Sequence, residues 1–386
     1  MSTNMNVLTP ELAALFASVA YDVNRNGGTQ TSLYHSRLAV GFSFESDNLQ
    51  AISGSVLERI FKHTTPFGCI AKGKRGPFEG DFVIALRGTE KKRDVITDLH
   101  CGVNTCANGQ PVHAGFNNTF NSLKQQLEDY FKLAASQSKT GLNIHVVGHS
   151  LGGALANLAT NWLKKHFNAN VKLYTFGAPR VGYPSFALKT VYATDNGIYR
   201  CVHAGDPVPL VPVWPFVHTE DEYILHGAPT ITPKAHSMTE ETPGYLHTAS
   251  CFKSYAAINK GKESRLRRQV KLDYDKRLQA RPTTRWARTI GEAIITHLHA
   301  SGRLHAIQAD ISNTLTVYDK IAKVLADSID ISKGNAEDVR GILGHILSFC
   351  GLPFKAIELT YKFIRSTLTL MINTLTSMAK LALKGL

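Results

Sequence analysis

Gly148-His149-Ser150-Leu151-Gly152 holds one serine between glycines two residues before and two after it, with the apolar run 144–147 ahead and an Ala/Leu-rich run behind. The first run has the pattern of a buried strand, the second that of a helix. A serine at a sharp strand-to-helix turn has its hydroxyl lifted above the sheet, in the G-x-S-x-G arrangement of a nucleophile. Glycine suits the flanking positions because a Cβ there would collide with the tight turn. The helix that starts at Leu151 aims backbone N–H groups at whatever the serine attacks. The chemistry implied is acyl transfer through Ser150; a bare Gly-rich turn that binds phosphate is the plainer alternative.

A serine hydroxyl is a weak nucleophile until a base takes its proton and a third group orients the base. In chains with this serine turn, the acid follows the serine and the histidine follows the acid. Asp206 stands just after the apolar run 199–203, where the end of a parallel strand would project a carboxylate toward the site. Four histidines come next: His218, His226, His236 and His247. His247 is the favoured base, because the helix-like run 248–258 after it would anchor its ring. His236 is the second candidate, followed by a Thr-Glu-Glu-Thr-Pro-Gly turn, and the other two are taken as solvated loop residues. The oxyanion needs two donors, each contributing about 10²–10³-fold in rate. The amide of Leu151 is one, and Thr89, after the strand-like run 82–86, is expected to supply the other.

Alternating strand-like and helix-like segments over residues 1–260 predict an α/β domain with a mostly parallel central sheet, covered on both faces. Strands are expected at 82–86, 144–147, 171–176 and 199–203, with helices at 121–134 and 155–167. The sequence Thr9-Pro10-Glu11 marks a capped helix start. From 261 to 386 the character changes to a basic, helical extension.

The charge sits mainly in that extension. The whole chain is +13, and residues 262–386 carry 20 Lys/Arg against 11 Asp/Glu. Such a surplus attracts polyanions. No basic-aromatic RNA signature or recognition helix accompanies it, so nucleic acid is not an expected partner and anionic lipid is. Leu368, Met371, Leu375, Met378 and Ala382 form an apolar stripe that can lie in a bilayer interface or pack inward. No segment has the length of a membrane span. The N-terminus lacks a basic region followed by an apolar core, which predicts cytoplasmic synthesis without a secretory signal, export by a leaderless route, and reduced thiols. Cys101 and Cys106 lie close enough to clip a loop if oxidised.

Five blocks stand in the order found in the class 3 (fungal-type) lipases of the α/β-hydrolase superfamily, which this chain resembles over residues 8–260. They are Ala85-Leu86-Arg87-Gly88-Thr89, Val112-His113-Ala114-Gly115-Phe116, Gly148-His149-Ser150-Leu151-Gly152-Gly153, Gly177-Ala178-Pro179-Arg180-Val181-Gly182, and His203-Ala204-Gly205-Asp206 through Pro209. The resemblance implies an α/β-hydrolase-like three-layer domain and a carboxylic-ester hydrolase of acylglycerols or phospholipids, with no metal and no cofactor. It implies Ser150 as nucleophile, Asp206 as acid, and Thr89 and Leu151 as oxyanion hole. It also implies an aromatic residue five after the catalytic histidine: Phe252 meets that for His247, whereas Glu241 stands in the place for His236. The family's lid falls between Leu99 and Val112; here it is short and not very apolar, which argues against interfacial activation.

The expected activity is therefore phospholipase A or acylglycerol lipase, acting at a membrane surface. The alternatives are an esterase of soluble acyl esters, and a membrane-permeabilising protein working through its C-terminal helices. A basic, leaderless lipase with a helical extension also resembles bacterial effectors delivered into rival cells, which implies an immunity or delivery partner.

Overall fold

Thr9 caps the first helix: its hydroxyl accepts from Leu12 N–H at 3.2 Å and its carbonyl from Ala13 N–H at 2.9 Å, opening α1 (Pro10–Arg25). The structure, a computed structural model, describes residues 5–25, 37–45, 49–52, 64–88, 102–138, 141–239, 244–261, 269–302, 304 and 317–383. Strands β1 (Phe42–Phe44) and β2 (Leu49–Ile52) pair antiparallel with β3 (Thr64–Gly73), which folds back on β4 (Phe82–Leu86). A ribbon of β5 (Val103–Thr105) and β6 (Pro111–His113) leads into α2 (Ala114–Gln137). Crossovers then alternate through β7 (Asn143–His149), α3 (Leu151–Phe167), β8 (Asn170–Phe176), α4 (Pro184–Ala193) and β9 (Ile198–His203). The part closes with β10 (Glu222–His226), α5 (Tyr245–Ser250) and β11 (Asn259–Gly261).

The sheet runs β1-β3-β4-β7-β8-β9-β10-β11, with β2 beside β3. From β4 to β10 every pairing is parallel; β1, β2 and β3 on one flank and β11 on the other are antiparallel. The expected parallel sheet is thus its centre, where helices supply the crossovers, while short connections at the flanks reverse the chain.

Side chains on the central strands alternate between two cores. Ile84, Leu86, Ile144, Val146 and Leu173 meet α2 and α3, packing on Phe116, Leu155 and Trp162. Val83, Ala85, Val147, Tyr174 and Phe176 face the other way, onto Phe16 and Ala17 of α1 and Tyr245 of α5. That two-residue period is what three layers require.

The extension contributes α6 (Thr284–Ala300), α7 (Val317–Ile329), α8 (Lys333–Phe349) and α9 (Tyr361–Leu383). Its helices share a third core with the loop after Asp206: Ile290, Leu325, Leu343, Leu368 and Leu375 pack in one cluster with Val208, Leu210, Val211, Trp214 and Phe216. A buried ion cluster rivets the same seam. Glu222 at the start of β10 accepts from Arg288 of α6 (Nη2 to Oε2, 2.8 Å) and from Arg200 of β9 (Nη1 to Oε2, 3.3 Å). Glu222 and Arg200 are each 2% exposed, so each charge depends on the other for its solvation.

The apolar stripe of α9 packs inward. Leu368, Met371, Leu375 and Ala382 are buried, and α9 lies against both the Val208–Leu210 turn and the Pro233–His236 turn. Of the two readings of this stripe, the structure shows inward packing, with the apolar face engaged in the protein core. Among the described residues no helix is long and apolar enough to cross a membrane. Residues 262–268, 303 and 305–316 of the extension lie outside the described residues.

Candidate active site

Ser150 sits at the junction of β7 and α3 with φ 56° and ψ −128°, a backbone conformation that a non-glycine residue adopts only under constraint. The constraint is visible: its N–H donates to Phe176 O at the end of β8, 3.0 Å away, and its carbonyl receives Gly153 N–H at 2.9 Å. A Cβ on Gly148 would overlap the carbonyl of Gly152, and one on Gly152 would overlap that of Leu86. The spacing of two on either side of the serine therefore follows from strand and helix backbones passing in contact. Leu151, the first residue of α3, has no carbonyl a turn behind it within the helix, so its N–H has no intrahelical partner. Thr89, the other expected oxyanion donor, lies outside the described residues.

Asp206 follows β9 by three residues and is 2% exposed. Its Oδ1 accepts from Val208 N–H at 2.9 Å, and its Oδ2 from Tyr245 OH at 2.7 Å and from His236 Nδ1–H at 2.8 Å. Three donors satisfy both oxygens of this buried carboxylate. The bond from His236 also fixes the tautomer of that ring: with the proton on Nδ1, Nε2 carries the lone pair that a general base needs. Gly177, at φ 55°, makes the room. A Cβ there would come within 2.6 Å of Asp206 Oδ2 and 3.0 Å of His236 Nδ1.

The expectation of His247 as base is corrected: the histidine on Asp206 is His236. His247 is exposed on α5, on a different side of that short helix from Tyr245, whose hydroxyl reaches the carboxylate. Two residues along a helix turn the side chain by about 200°, so α5 can present Tyr245 or His247 to Asp206, and it presents the larger, apolar ring to the core. His236 is carried instead by the one-turn segment Pro233–His236 and is fully buried. The local signal for it was modest: Ala235, Ser237 and Met238, its neighbours, are also buried.

Ser150 Oγ and His236 Nε2 are both buried, and neither has a hydrogen-bond partner among the described residues. Buried polar atoms are rarely left unpaired. A nucleophile and a base in that condition, with the acid already engaged, form a constellation whose remaining bonding capacity is reserved for a reacting group.

Two further histidines line the site. His149 is buried with its ring 4.7 Å from that of His236, and its Nε2–H donates to His236 O at 2.9 Å. Burial, and then the neighbouring His236, hold its pKa well below the ordinary value, so it is neutral. His203 stacks on Tyr245 at 4.0 Å, and its Nδ1–H donates to Ala235 O at 2.7 Å. Burial lowers its pKa to about 4. Burial, reinforced by the Asp206 charge, raises the Tyr245 phenol well above its usual value and keeps it a donor. His218, expected in solvent, is instead buried, with Nε2–H on Pro209 O at 2.8 Å.

Where the resemblance places a lid, residues 102–113 form the β5–β6 ribbon, tied to α2 by Asn117 Nδ2, which donates to Asn104 Oδ1 at 2.8 Å. Cys106 is a free, buried thiol; Cys101 lies outside the described residues.

Residues 83–216 match the model of the lipase (class 3) family. A secreted mono- and diacylglycerol lipase of Fusarium solani is 37% identical over 156 residues, covering 39% of this chain and 45% of that protein. A chloroplastic phospholipase A(1) of Arabidopsis thaliana is 30% identical over 182 residues, 42% of this chain and 40% of that protein. A crystal structure of a lipase from Rhizopus microsporus var. chinensis aligns over 58% of this chain and 75% of its own at 28% identity, with a TM-score of 0.43. The chain spans less than half the length of the two curated relatives.

Proposed function

We propose, from the match of residues 83–216 to the class 3 lipase family model, that this protein hydrolyses carboxylic esters of lipids through an acyl-enzyme on Ser150. The observation that carries the reading is the pair of buried, unpartnered atoms, Ser150 Oγ and His236 Nε2, set against an Asp206 that already holds His236 Nδ1. His236 Nε2 takes the proton of Ser150 as Oγ bonds to the ester carbonyl carbon. The carbonyl oxygen takes up the negative charge and is met by the Leu151 amide, with Thr89 the second donor that the family resemblance implies. As the C–O bond breaks, His236 returns the proton to the leaving alkoxide. Water then repeats the cycle on the acyl-serine: His236 removes its proton, and the fatty acid leaves as Ser150 recovers its own. Asp206 stays ionised throughout and stabilises the imidazolium. Tyr245 and Val208 N–H in turn hold Asp206 in place.

Phospholipid is the first substrate class and acylglycerol the second. The choice of phospholipid rests on charge, since basic residues near a membrane each contribute about 1 kcal/mol of attraction to anionic headgroups. The relatives include proteins named for each class. A membrane surface is accordingly the expected place of action. The test is mass spectrometry of products after incubation with a mixed phospholipid and glyceride extract, comparing wild type with Ser150→Ala. Lysophospholipid and free fatty acid from the wild type alone support the reading; equal turnover by Ser150→Ala overturns it.

A further inference from the structure

A buried chain of hydrogen bonds runs beside the catalytic residues and touches none of the reacting atoms. Gly88 N–H donates to Tyr21 OH at 3.0 Å, Tyr21 OH donates to His149 Nδ1 at 2.6 Å, and His149 Nε2–H donates to His236 O at 2.9 Å. Its polarity has one solution. An amide N–H can only donate and a carbonyl can only accept, so the hydroxyl between them must accept from Gly88 and give its proton to His149, whose own proton must lie on Nε2. Four remote segments meet here: α1, the residue ahead of Thr89, the turn that bears the nucleophile, and the turn that bears the base. Tyr21 is 3% exposed, and His149 and His236 are fully buried.

The turn that carries His236 needs such support. A single 3₁₀ turn has too few internal bonds to hold an imidazole to a fraction of an ångström. The bond to Asp206 fixes how the ring is rotated but not how far the backbone stands from Ser150. His149 fixes that distance, because it belongs to the residue immediately before the serine and grips the carbonyl of the histidine itself.

We infer that Tyr21 and His149 are positioning residues for the proposed ester hydrolysis, setting the height of His236 over Ser150 and tying it to the strand end that leads into Thr89. This rests on the assignment of Ser150 and His236 made above. His149 also has to stay neutral, since the His236 imidazolium formed during the reaction develops beside it, ring centre to ring centre at 4.7 Å. Removing the Tyr21 hydroxyl leaves the buried His149 Nδ1 without its donor and the ring that grips the His236 carbonyl anchored at one end only. A displacement of about 1 Å in a catalytic group costs about 100-fold in rate.

The test measures kcat and KM on p-nitrophenyl butyrate for Tyr21→Phe, His149→Leu and His149→Gln, with Ser150→Ala alongside and thermal midpoints recorded for each. Tyr21→Phe and His149→Leu are expected to lower kcat about 10- to 100-fold with KM within about twofold. His149→Gln, whose amide reaches as far as the imidazole Nε2 and still donates, is expected to keep kcat within about fivefold of wild type. A folded Tyr21→Phe with wild-type kcat overturns the inference, as does a His149→Gln no better than His149→Leu. Should His149→Leu not fold, Tyr21→Phe and His149→Gln decide it between them. Undiminished turnover by Ser150→Ala would instead remove the underlying assignment, and normal relay variants beside a dead Ser150→Ala would remove only the relay.

Discussion

Replacing His236 and His247 one at a time with asparagine separates the two candidate bases. The amide of an asparagine at 236 stands near the position of Nδ1, so it can still donate to Asp206 Oδ2, where the histidine now does at 2.8 Å. The carboxylate keeps its partner and the fold keeps its stability, while the proposed base atom, the buried and unpartnered Nε2, is gone. Loss of the base in a serine triad removes about 10⁴-fold or more from kcat, which is about 5 kcal/mol of barrier at about 1.4 kcal/mol per factor of ten. His247 is exposed, and the side-chain hydrogen bonds it receives, from Ser250 Oγ at 2.7 Å and Cys251 Sγ at 3.5 Å, go to its backbone carbonyl. Asparagine there should leave kcat within about twofold, as surface changes do. Steady-state hydrolysis of p-nitrophenyl butyrate, with fluorophosphonate labelling of Ser150 as a second readout, gives both numbers. A folded His236→Asn that keeps its rate, beside a His247→Asn that loses it, would falsify the assignment and return the base to α5.

Other expectations concern what surrounds the triad. Tyr245→Phe removes a 2.7 Å bond to Asp206 and leaves the buried His203 N–H, 3.0 Å from the phenol, without its acceptor. A urea titration should show a loss of about 3 kcal/mol, and an unchanged midpoint would mean the carboxylate has other support. Glu222→Gln strips the charge from a buried carboxylate that serves both Arg200 and Arg288. A loss of about 3–5 kcal/mol in equilibrium unfolding is expected, and a neutral outcome would show that the cluster is dispensable. Leu375→Ala, in the core shared by α9 and the loop after Asp206, should cost about 2–5 kcal/mol and lower activity along with stability. Acid should destabilise the protein well above the range where carboxylates titrate. His203 titrates at about 4 when folded against 6.5 ordinarily, so as pH falls the unfolded chain takes the proton first. Its contribution is complete above pH 6.5 and is lost progressively toward pH 4, amounting to about 3 kcal/mol there. Burial lowers His149 and His218 in the same direction. A urea midpoint no lower at pH 5 than at pH 7.5 would contradict this.

Much of this architecture was legible in the sequence where a local rule governs it. The glycines around Ser150 announce a turn because backbone contact, a short-range effect, demands them. The apolar runs 82–86, 144–147 and 171–176 announce buried strands, and Asp206 stands where a parallel strand ends. The identity of the base did not yield to local rules. His247 had a helix to anchor it and His236 only a turn, yet the helix serves to aim Tyr245, and the turn is held by contacts arriving from Asp206 and His149, 30 and 87 residues away in sequence. The contact of Tyr21 with His149 spans 128 residues and leaves no trace in composition or spacing. The stripe on α9 was plain, but its direction was not, because the surface that receives it, Val208 through Phe216, is an apolar run more than 150 residues earlier, and nothing local to either segment pairs the two.

The seam between the extension and the Asp206 loop has a practical corollary for anyone who would borrow parts of this molecule. Cut at Gly261, neither fragment would be self-sufficient: one would carry raw valines and a tryptophan open to water, the other a bundle with nothing to lean on. Grafts, fusions and minimal versions must therefore take the two together or supply a replacement surface, and calorimetry of the intact chain should register one melting event, not two.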